Sequence, residues 1–349
     1  MLSLCMIVKN EEDNIGKCLE AVKGFLDEII IVDTGSSDAT KEICFTYTDK
    51  VYDFKWNDDF AAARNFSISN ASNDWILVLD ADEELTDFNR EQIIKFIKNE
   101  NNYKLVGRIK IINILEDEMG TKRYIERVNR VFNKKYYHYK GAIHEQIISE
   151  DGENYNTINV DIIADHIGYT KEIMKKTDKI QRNLELLQQS IKNNNKDPYL
   201  YYQLGKTYYL DKKYENAAEC FNKALSFKVN TRYEYVQDLI ETYGYSLINT
   251  GRYAQALELK KYENEYSSLL DYKFLMALIY MNNALFEQAI KGFLDCIGEK
   301  EGKMEGSNSY LSCYNIGVIY ECSGLKKEAI FYYKKCGDYK PALDGLNRL

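Results

Sequence analysis

The stretch Trp75-Ile-Leu-Val-Leu-Asp80-Ala-Asp82-Glu83-Glu84 constrains the fold of this chain more than any other. A run of large apolar residues ends abruptly in carboxylates. It is too short and too uniformly apolar for an amphipathic helix, so it reads as a strand buried on both faces. The acids then sit at the strand's C-terminal mouth, the edge at which open parallel α/β sheets bind ligands. Asp80 and Asp82 are two apart, so an unbroken strand points both side chains the same way. Converging carboxylates repel unless positive charge lies between them, and a hard divalent cation, Mg2+ or Mn2+, is the usual partner. Taken alone, the segment is equally compatible with a metal site and with a solvated acidic loop.

The residues before it repeat this pattern. Leu2 to Val8 reads as a strand, and Asn14 opens a short helix with Ile15, Cys18, Leu19 and Val22 on its apolar face. Glu28 to Asp33 is a second strand, and Thr34-Gly35-Ser36-Ser37 is turn chemistry that caps another helix. Lys50 to Phe54 is a third strand, and Asp58 or Asp59 caps a helix starting at Phe60. Strands alternating with helices predict a mostly parallel, doubly wound sheet. The polar clusters all fall at one edge of it: Asn10-Glu11-Glu12, Asp33, Asn57-Asp58-Asp59 with Arg64, then Asp80 and Asp82. No GxGxxG or Walker loop is present, so a nucleotide bound here needs a metal and Arg64 to neutralise its phosphates. Asp33 by itself reads as a turn or cap residue. At a strand end it can also accept hydrogen bonds from a base or ribose.

The 349 residues leave room for two domains. A net charge of −8 argues against a nucleic-acid protein, which carries a clustered basic excess. The apolar start Leu2 to Val8 is too short for a signal sequence, and no run is long enough to span a bilayer. Eight cysteines are scattered singly, which predicts reduced, mostly buried thiols and a cytoplasmic location.

Four ordered motifs, Leu4-Cys-Met-Ile-Val-Lys-Asn-Glu-Glu12, Ile31-Val-Asp-Thr-Gly-Ser-Ser-Asp38, Trp56-Asn-Asp-Asp-Phe-Ala-Ala-Ala-Arg-Asn65 and the Trp75 to Glu84 stretch, resemble glycosyltransferase family 2. The resemblance covers roughly the first half of the chain and implies a GT-A fold. It implies an inverting enzyme that uses a nucleotide-diphosphate sugar, a UDP-sugar first among them, with Mn2+ or Mg2+. It assigns Asp33 to the base or ribose, Arg64 to the diphosphate, and Asp80-Ala81-Asp82 to ribose and metal. The loop around Val8 and Glu11 lines the nucleotide pocket, and Asp59 belongs to the same nucleotide-sugar motif set.

The acceptor side follows. Asn89 to Asn99 is an amphipathic helix, and Leu105 to Ile112 and Arg123 to Phe132 are strands at the mixed end of the sheet. Glu116-Asp117-Glu118 reads as a solvated turn between them. The three histidines are His138, His144 and His166. Sugar transfer needs one base for the acceptor proton. Glu145, in Gly141-Ala-Ile-His-Glu-Gln146, is the candidate, and relatives of this kind carry a similar Gly-x-x-His-Glu segment. His144 and Asp165 are the alternatives. His166, in a His-x-Gly-Tyr segment similar to that of such relatives, is the candidate third metal ligand beside Asp80 and Asp82; otherwise it packs the domain end. Arg127 and Arg130 are either diphosphate or acceptor contacts or surface charges.

From Ile173 the texture changes. Lys171 to Ile191 reads as a linking helix. Leu204-Gly205 with Tyr208, Tyr214, Ala217 and Phe221 matches tetratricopeptide spacing, and the pattern recurs at Gly244, Ala277 and Gly317. These positions step by about 39, 33 and 40 residues, near the repeat's period of about 34, so repeats one and three carry longer connections. Pro341 falls at the closing position. The predicted division is a GT-A domain at 1–170, a helical linker at 171–195 and an all-α solenoid at 196–349. Lys334-Lys335 and the Lys171 to Lys179 run read as solvated faces.

The leading function is a metal-dependent glycosyltransferase acting on a protein or peptide acceptor. The resemblance extends to tetratricopeptide-bearing transferases of peptides and flagellin. The repeats then hold the acceptor, a second subunit or a second copy of the chain. One alternative is a transferase for surface polysaccharide or lipid-linked sugar. Another is an inactive adaptor whose working part is the repeats.

Overall fold

The computed structural model describes residues 1–117, 120–167, 179–300 and 302–349. It divides into two compact units, Met1–Asp178 and Lys179–Leu349. Glu118, the Gly168-Tyr169 pair and the first part of the expected linking helix lie outside the described residues.

The N-terminal unit is built on an eight-stranded sheet with order β3-β2-β1-β4-β7-β6-β10-β5. Strands β1 (Leu2–Val8), β2 (Glu28–Asp33), β3 (Val51–Asp53) and β4 (Trp75–Val78) are mutually parallel and alternate with helices α1 (Ile15–Val22), α2 (Thr40–Phe45) and α3 (Phe60–Ser69). Alternate residues feed two cores, as a strand covered on both faces requires. Leu4, Met6, Ile31 and Leu77 pack on one face, against Ile15, Leu19 and Val22 of α1. Cys5, Ile30, Ile76 and Val78 pack on the other, against Ala61 and Ile68 of α3.

The remaining strands complete the sheet. β4 continues into β5 (Glu83–Phe88), which runs to the far edge of the sheet, and α4 (Arg90–Lys98) follows it. The long hairpin β6 (Leu105–Asp117) and β7 (Gly120–Asn133) returns β7 antiparallel to β4. β10 (Asn156–His166) then slots between β6 and β5, parallel to the first and antiparallel to the second. A two-stranded ribbon, β8 (Tyr137–Lys140) with β9 (Gln146–Ser149), stands apart from the sheet.

One local expectation changes and another resolves to a single residue. The Thr34 to Ser37 turn does not cap α2. That helix starts later, at Thr40, because Gly35 and Ser36 turn their backbone N–H groups onto Asp33. Asp59 does cap α3, accepting from the Ala62 N–H at 2.9 Å.

The C-terminal unit is a run of helix pairs. α5 (Lys179–Asn193) leads into α6 (Pro198–Leu210) with α7 (Tyr214–Leu225) and then α8 (Glu234–Asn249). α11 (Leu270–Asn282) pairs with α12 (Phe286–Cys296), and α13 (Tyr310–Cys322) with α14 (Lys326–Lys334). The second repeat departs from the pattern: its second helix breaks into α9 (Tyr253–Ala256), a 3-10 stretch (Leu257–Tyr262) and α10 (Glu263–Tyr266). The Leu259 carbonyl accepts from the Tyr272 hydroxyl at 2.9 Å, a partner outside the helical ladder. Pro341 lies in the first turn of a terminal helix, α15 (Lys340–Arg348), where its missing N–H costs nothing. The small residues of the repeat sit where paired helices touch. A Cβ on Gly317 would lie 2.6 Å from the fully buried ring of Tyr333. No described helix is long and apolar enough to cross a membrane.

Candidate active site

The acidic turn after β4 is where the sheet edge becomes chemistry. Asp80 N–H donates to Glu83 Oε2 at 2.9 Å, and Glu83 N–H returns to the Asp80 carbonyl at 3.0 Å. Cys18 on α1 adds a thiol hydrogen bond to the Glu83 carbonyl at 3.2 Å. This closed turn breaks the strand register, so Asp80 and Asp82 take different partners.

Asp80 is gripped by two arginines. Arg64 Nη2 donates to Oδ1 at 2.8 Å and Arg130 Nη2 to Oδ2 at 3.0 Å. Burial disfavours the Asp80 charge, but the two guanidinia outweigh it and hold the carboxyl well below its ordinary range. Arg130 also donates to buried Glu83 at 2.5 Å. Burial pushes Glu83 up, against the pull of Arg130. Arg64 reaches a third acid, donating from Nε to Glu145 Oε1 at 2.5 Å, with its guanidinium 5.6 Å from the Tyr139 ring centroid. Arg64 Nη1 and Arg130 Nε are buried without a hydrogen-bond partner. They are two donors still to be satisfied.

The two arginines get there differently. Asn65 pairs twice with the Tyr139 backbone, at 2.8 and 2.9 Å, and Phe60 N–H donates to the Ala142 carbonyl. These bonds clamp α3 to the β8–β9 ribbon and set Arg64 between Asp80 and Glu145. Arg130 is the extra residue of a β-bulge: Gly107 pairs with Val131, while the next residue, Arg108, pairs with Asn129. A bulge re-aims a side chain. Arg127 is exposed and does not join the cluster.

Asp82 meets the end of β10. Ile167 N–H donates to the Asp82 carbonyl at 3.2 Å, and His166 Nε2 lies 3.4 Å from Asp82 Oδ2. The other ring nitrogen, Nδ1, is 2.7 Å from Asn113 Oδ1. The Asn113 amide is itself oriented by Glu126, whose carboxylate accepts from Nδ2 at 3.1 Å. The Asn113 oxygen therefore faces the ring, and Nδ1 carries the proton. The ring then presents Nε2 to the Asp82 carboxylate, an arrangement completed by a proton or a cation between them.

The first two loops form the rim of the same edge. Val8 is in register with Asp33, and its carbonyl accepts from the Thr34 N–H and hydroxyl at 2.9 and 3.0 Å. Asn10 Oδ1 accepts from Ser37 N–H, and Glu11 N–H donates to Thr40 Oγ1, so the two loops are laced together. Asp33 is 2% exposed: Oδ1 takes Gly35 and Ser36, while Oδ2 is buried with no hydrogen-bond partner. Asp59, as the cap of α3, is engaged by its own helix.

Opposite lies the Gly141 to Gln146 loop. Gly141 and His144 both take positive φ, +109° and +51°. A non-glycine residue there stores strain, a habit of functional loops. Asp165 pairs with Glu84 on the β10–β5 ladder. His138 contacts Glu150 on the ribbon.

Sequence reasoning gave no role to Glu83 or Asn65, though both lie in quoted motifs, and missed Asn113 and Glu126 altogether. Each acts through a contact across strands or elements, and an isolated Asn or Glu in a strand or helix carries no local sign of that.

Residues 3–157 match the glycosyl transferase family 2 family, and residues 198–228 and 310–342 match tetratricopeptide repeats. The chain is 25% identical to the SPbeta prophage-derived glycosyltransferase SunS of Bacillus subtilis, over 80% of this chain and 67% of that protein. It is 30% identical to an uncharacterized glycosyltransferase of Rickettsia typhi, over 41% of this chain and 49% of that one. A TPR repeat-containing protein of Synechococcus elongatus is 52% identical over 24% of this chain, a match that spans 21% of its own length. The chain thus spans well under two thirds of the last two relatives. Among solved structures, YrrB, a TPR protein with an unusual peptide-binding site, aligns with 51% of this chain and 88% of its own, at 19% identity and a TM-score of 0.40.

Proposed function

We propose that this chain, a family 2 glycosyltransferase domain followed by tetratricopeptide repeats, is a metal-dependent inverting transferase that moves a sugar from a nucleotide-diphosphate donor, UDP-linked in the first instance, to a protein or peptide. The observation that carries the reading is the pair of buried arginines gathered on Asp80, each with a side-chain N–H still lacking a partner. A diphosphate at the sheet edge supplies acceptors for both. The buried, unpartnered Asp33 Oδ2 takes a donor from base or ribose.

The charge count calls for a cation. Asp80, Asp82, Glu83 and Glu145 outnumber Arg64 and Arg130, so a diphosphate meets repulsion unless a positive ion comes with it. Among the described residues no three His, Cys, Asp or Glu side chains are spaced to hold a metal by themselves. Magnesium-type sites use one or two carboxylates and complete their shell with phosphate oxygens and water. Asp82 supplies the carboxylate, and His166 adds a ring nitrogen, with Asn113 fixing the ring as an outer-shell partner does. Both Asp80 oxygens are on arginine, so Asp80 serves the site through Arg64 and Arg130. When bound, the ion neutralises charge on the departing diphosphate.

The chain's own groups do the rest. Arg64 and Arg130 bind the diphosphate and stabilise its growing charge as the anomeric C–O bond breaks. Glu145 takes the proton from the attacking hydroxyl or thiol, and configuration inverts in one displacement. Arg64 couples the two ends, since it touches Glu145 and reaches the leaving group.

Incubation with a panel of nucleotide sugars and Mn2+ or Mg2+, with and without chelator, tests this by release of free nucleotide. Slow, chelator-sensitive release from one donor that Asp82→Asn abolishes is expected. Release from no donor, with no nucleotide bound in calorimetry, would leave the chain an adaptor.

A further inference from the structure

Tyr139, on the β8–β9 ribbon, meets the arginine cluster from the side opposite the sheet edge. Its backbone N–H donates to Asn65 Oδ1 and its carbonyl accepts from Asn65 Nδ2, so the residue is tied to α3. Its ring is 5% exposed and packs edge-on against Phe132, with centroids 5.8 Å apart. The Arg64 guanidinium lies 5.6 Å from the ring centroid. Held by backbone and ring together, the side chain cannot swing its hydroxyl to another partner.

That hydroxyl is buried and makes no hydrogen bond. The other tyrosines of this core behave differently. Tyr137 donates to the Lys104 carbonyl at 2.6 Å, and Tyr155 to the Ile147 carbonyl at 3.0 Å. Tyr139 is the one tyrosine among the described residues whose hydroxyl is both shut from solvent and unpaired. A buried polar group without a partner has lost its hydration and gained nothing in return. A residue that only filled this core would fill it as well without the oxygen.

The surroundings indicate what would satisfy it. Burial pushes Tyr139 up to about 12, against the pull of Arg64 and Arg130. The phenol is therefore protonated at neutral pH and has a proton to donate. Arg64 Nη1 and Arg130 Nε are unpaired donors of the same cluster. The carboxylates nearby are already engaged, Asp80 by both arginines and Glu145 by Arg64. Three donors lacking acceptors suit a group rich in anionic oxygens with no hydrogen of its own to place, which describes a phosphate better than a sugar or a peptide. The Asp80 side chain keeps 35% exposure, so the cluster is reached from the sheet edge.

We propose that the Tyr139 hydroxyl is a third diphosphate-binding donor, which completes with Arg64 Nη1 and Arg130 Nε the set that holds the non-bridging oxygens of the departing nucleoside diphosphate. The proposal rests on the transferase reading above and adds a binding residue to it.

Tyr139→Phe removes the oxygen and keeps the ring beside Arg64. The variant should melt at or slightly above the native temperature, because the hydroxyl has no partner to lose. Calorimetry in Mg2+ then compares three ligands on the two proteins: the nucleoside diphosphate of the released donor (UDP in the first instance), inorganic pyrophosphate, and the free nucleoside by displacement. Both diphosphates should bind the variant about tenfold more weakly, the loss expected for one hydrogen bond to a charged group. The nucleoside, with base and ribose alone, should bind both proteins equally. Undiminished affinity of the variant for either diphosphate overturns the proposal. An equal loss for the nucleoside also overturns it, since the hydroxyl would then serve the base or ribose. A variant that melts lower than the native chain does so as well, since the hydroxyl would then have a partner in the folded protein. None of these three results touches the transferase reading. That reading falls, and this inference with it, if the native chain binds neither diphosphate and releases no donor.

Discussion

His166 Nε2 stands 3.4 Å from Asp82 Oδ2, and the opposite ring nitrogen is held by Asn113 at 2.7 Å. The orientation of the ring is thereby set by a residue on β6. Asn113→Ala is expected to weaken Mn2+ binding by about 10- to 100-fold, the usual effect of losing an outer-shell partner. Titration followed by electron paramagnetic resonance measures it. An unchanged Mn2+ affinity would remove His166 from the metal site.

Arg130 is the shared partner of Asp80 and Glu83. Arg130→Met leaves a buried Glu83 without its counter-charge, a change that costs about 3–5 kcal/mol. The melting temperature of the N-terminal unit should fall accordingly, and the double variant Arg130→Met, Glu83→Gln should recover part of the loss. If the single variant melts like the native chain, the cluster contributes nothing to folding.

Glu28 anchors the opposite end of the sheet. Lys50, Ser3 and Ser72 all hydrogen-bond its carboxylate, and its side chain is 5% exposed. Burial raises its pKa, but those bonds together bring it down to about 2. A depressed folded-state pKa contributes stability above the unfolded value and loses it as pH falls through the folded one. The contribution, on the order of 3 kcal/mol, should be present at pH 7 and fade from about pH 5 toward pH 2. Glu28→Gln should therefore lower the N-terminal melting temperature at pH 7, with a gap that narrows on acidification. A gap that stays constant with pH contradicts this.

Gly317 faces the Tyr333 ring at a distance no Cβ tolerates. Gly317→Ala overpacks a fully buried aromatic and should cost about 1–3 kcal/mol. Urea unfolding followed by helical circular dichroism should show the loss in the repeat unit, with the melting of the N-terminal unit unchanged. Wild-type urea stability would mean that the helix pair shifts apart freely.

The sequence by itself determined the parts of this protein whose signals are local. Uniform apolar runs mark β1, β2 and β4 because a strand covered on both faces needs no polar residue. Carboxylates at Asp33 and Asp80 stand out because such a run ends on them. The repeats are legible because a small residue must recur where paired helices touch, as Gly205 does against Phe221. Tertiary structure decided everything that depends on which distant elements meet. Arg127 and Arg130 look alike in sequence; a bulge opposite Gly107 and Arg108 sends Arg130 into the cluster, and no residue pattern announces it. Asp80 and Asp82 part company because the turn to Glu83 closes on itself. Asn113 and His166 come together only through the β6–β10 pairing, and Lys303 reaches Glu241 only because a loop folds back over the preceding repeats. Local propensity is written in neighbouring residues. Hydrogen bonds and ion pairs between residues 50 or 60 positions apart depend on packing, and packing is a property of the whole chain.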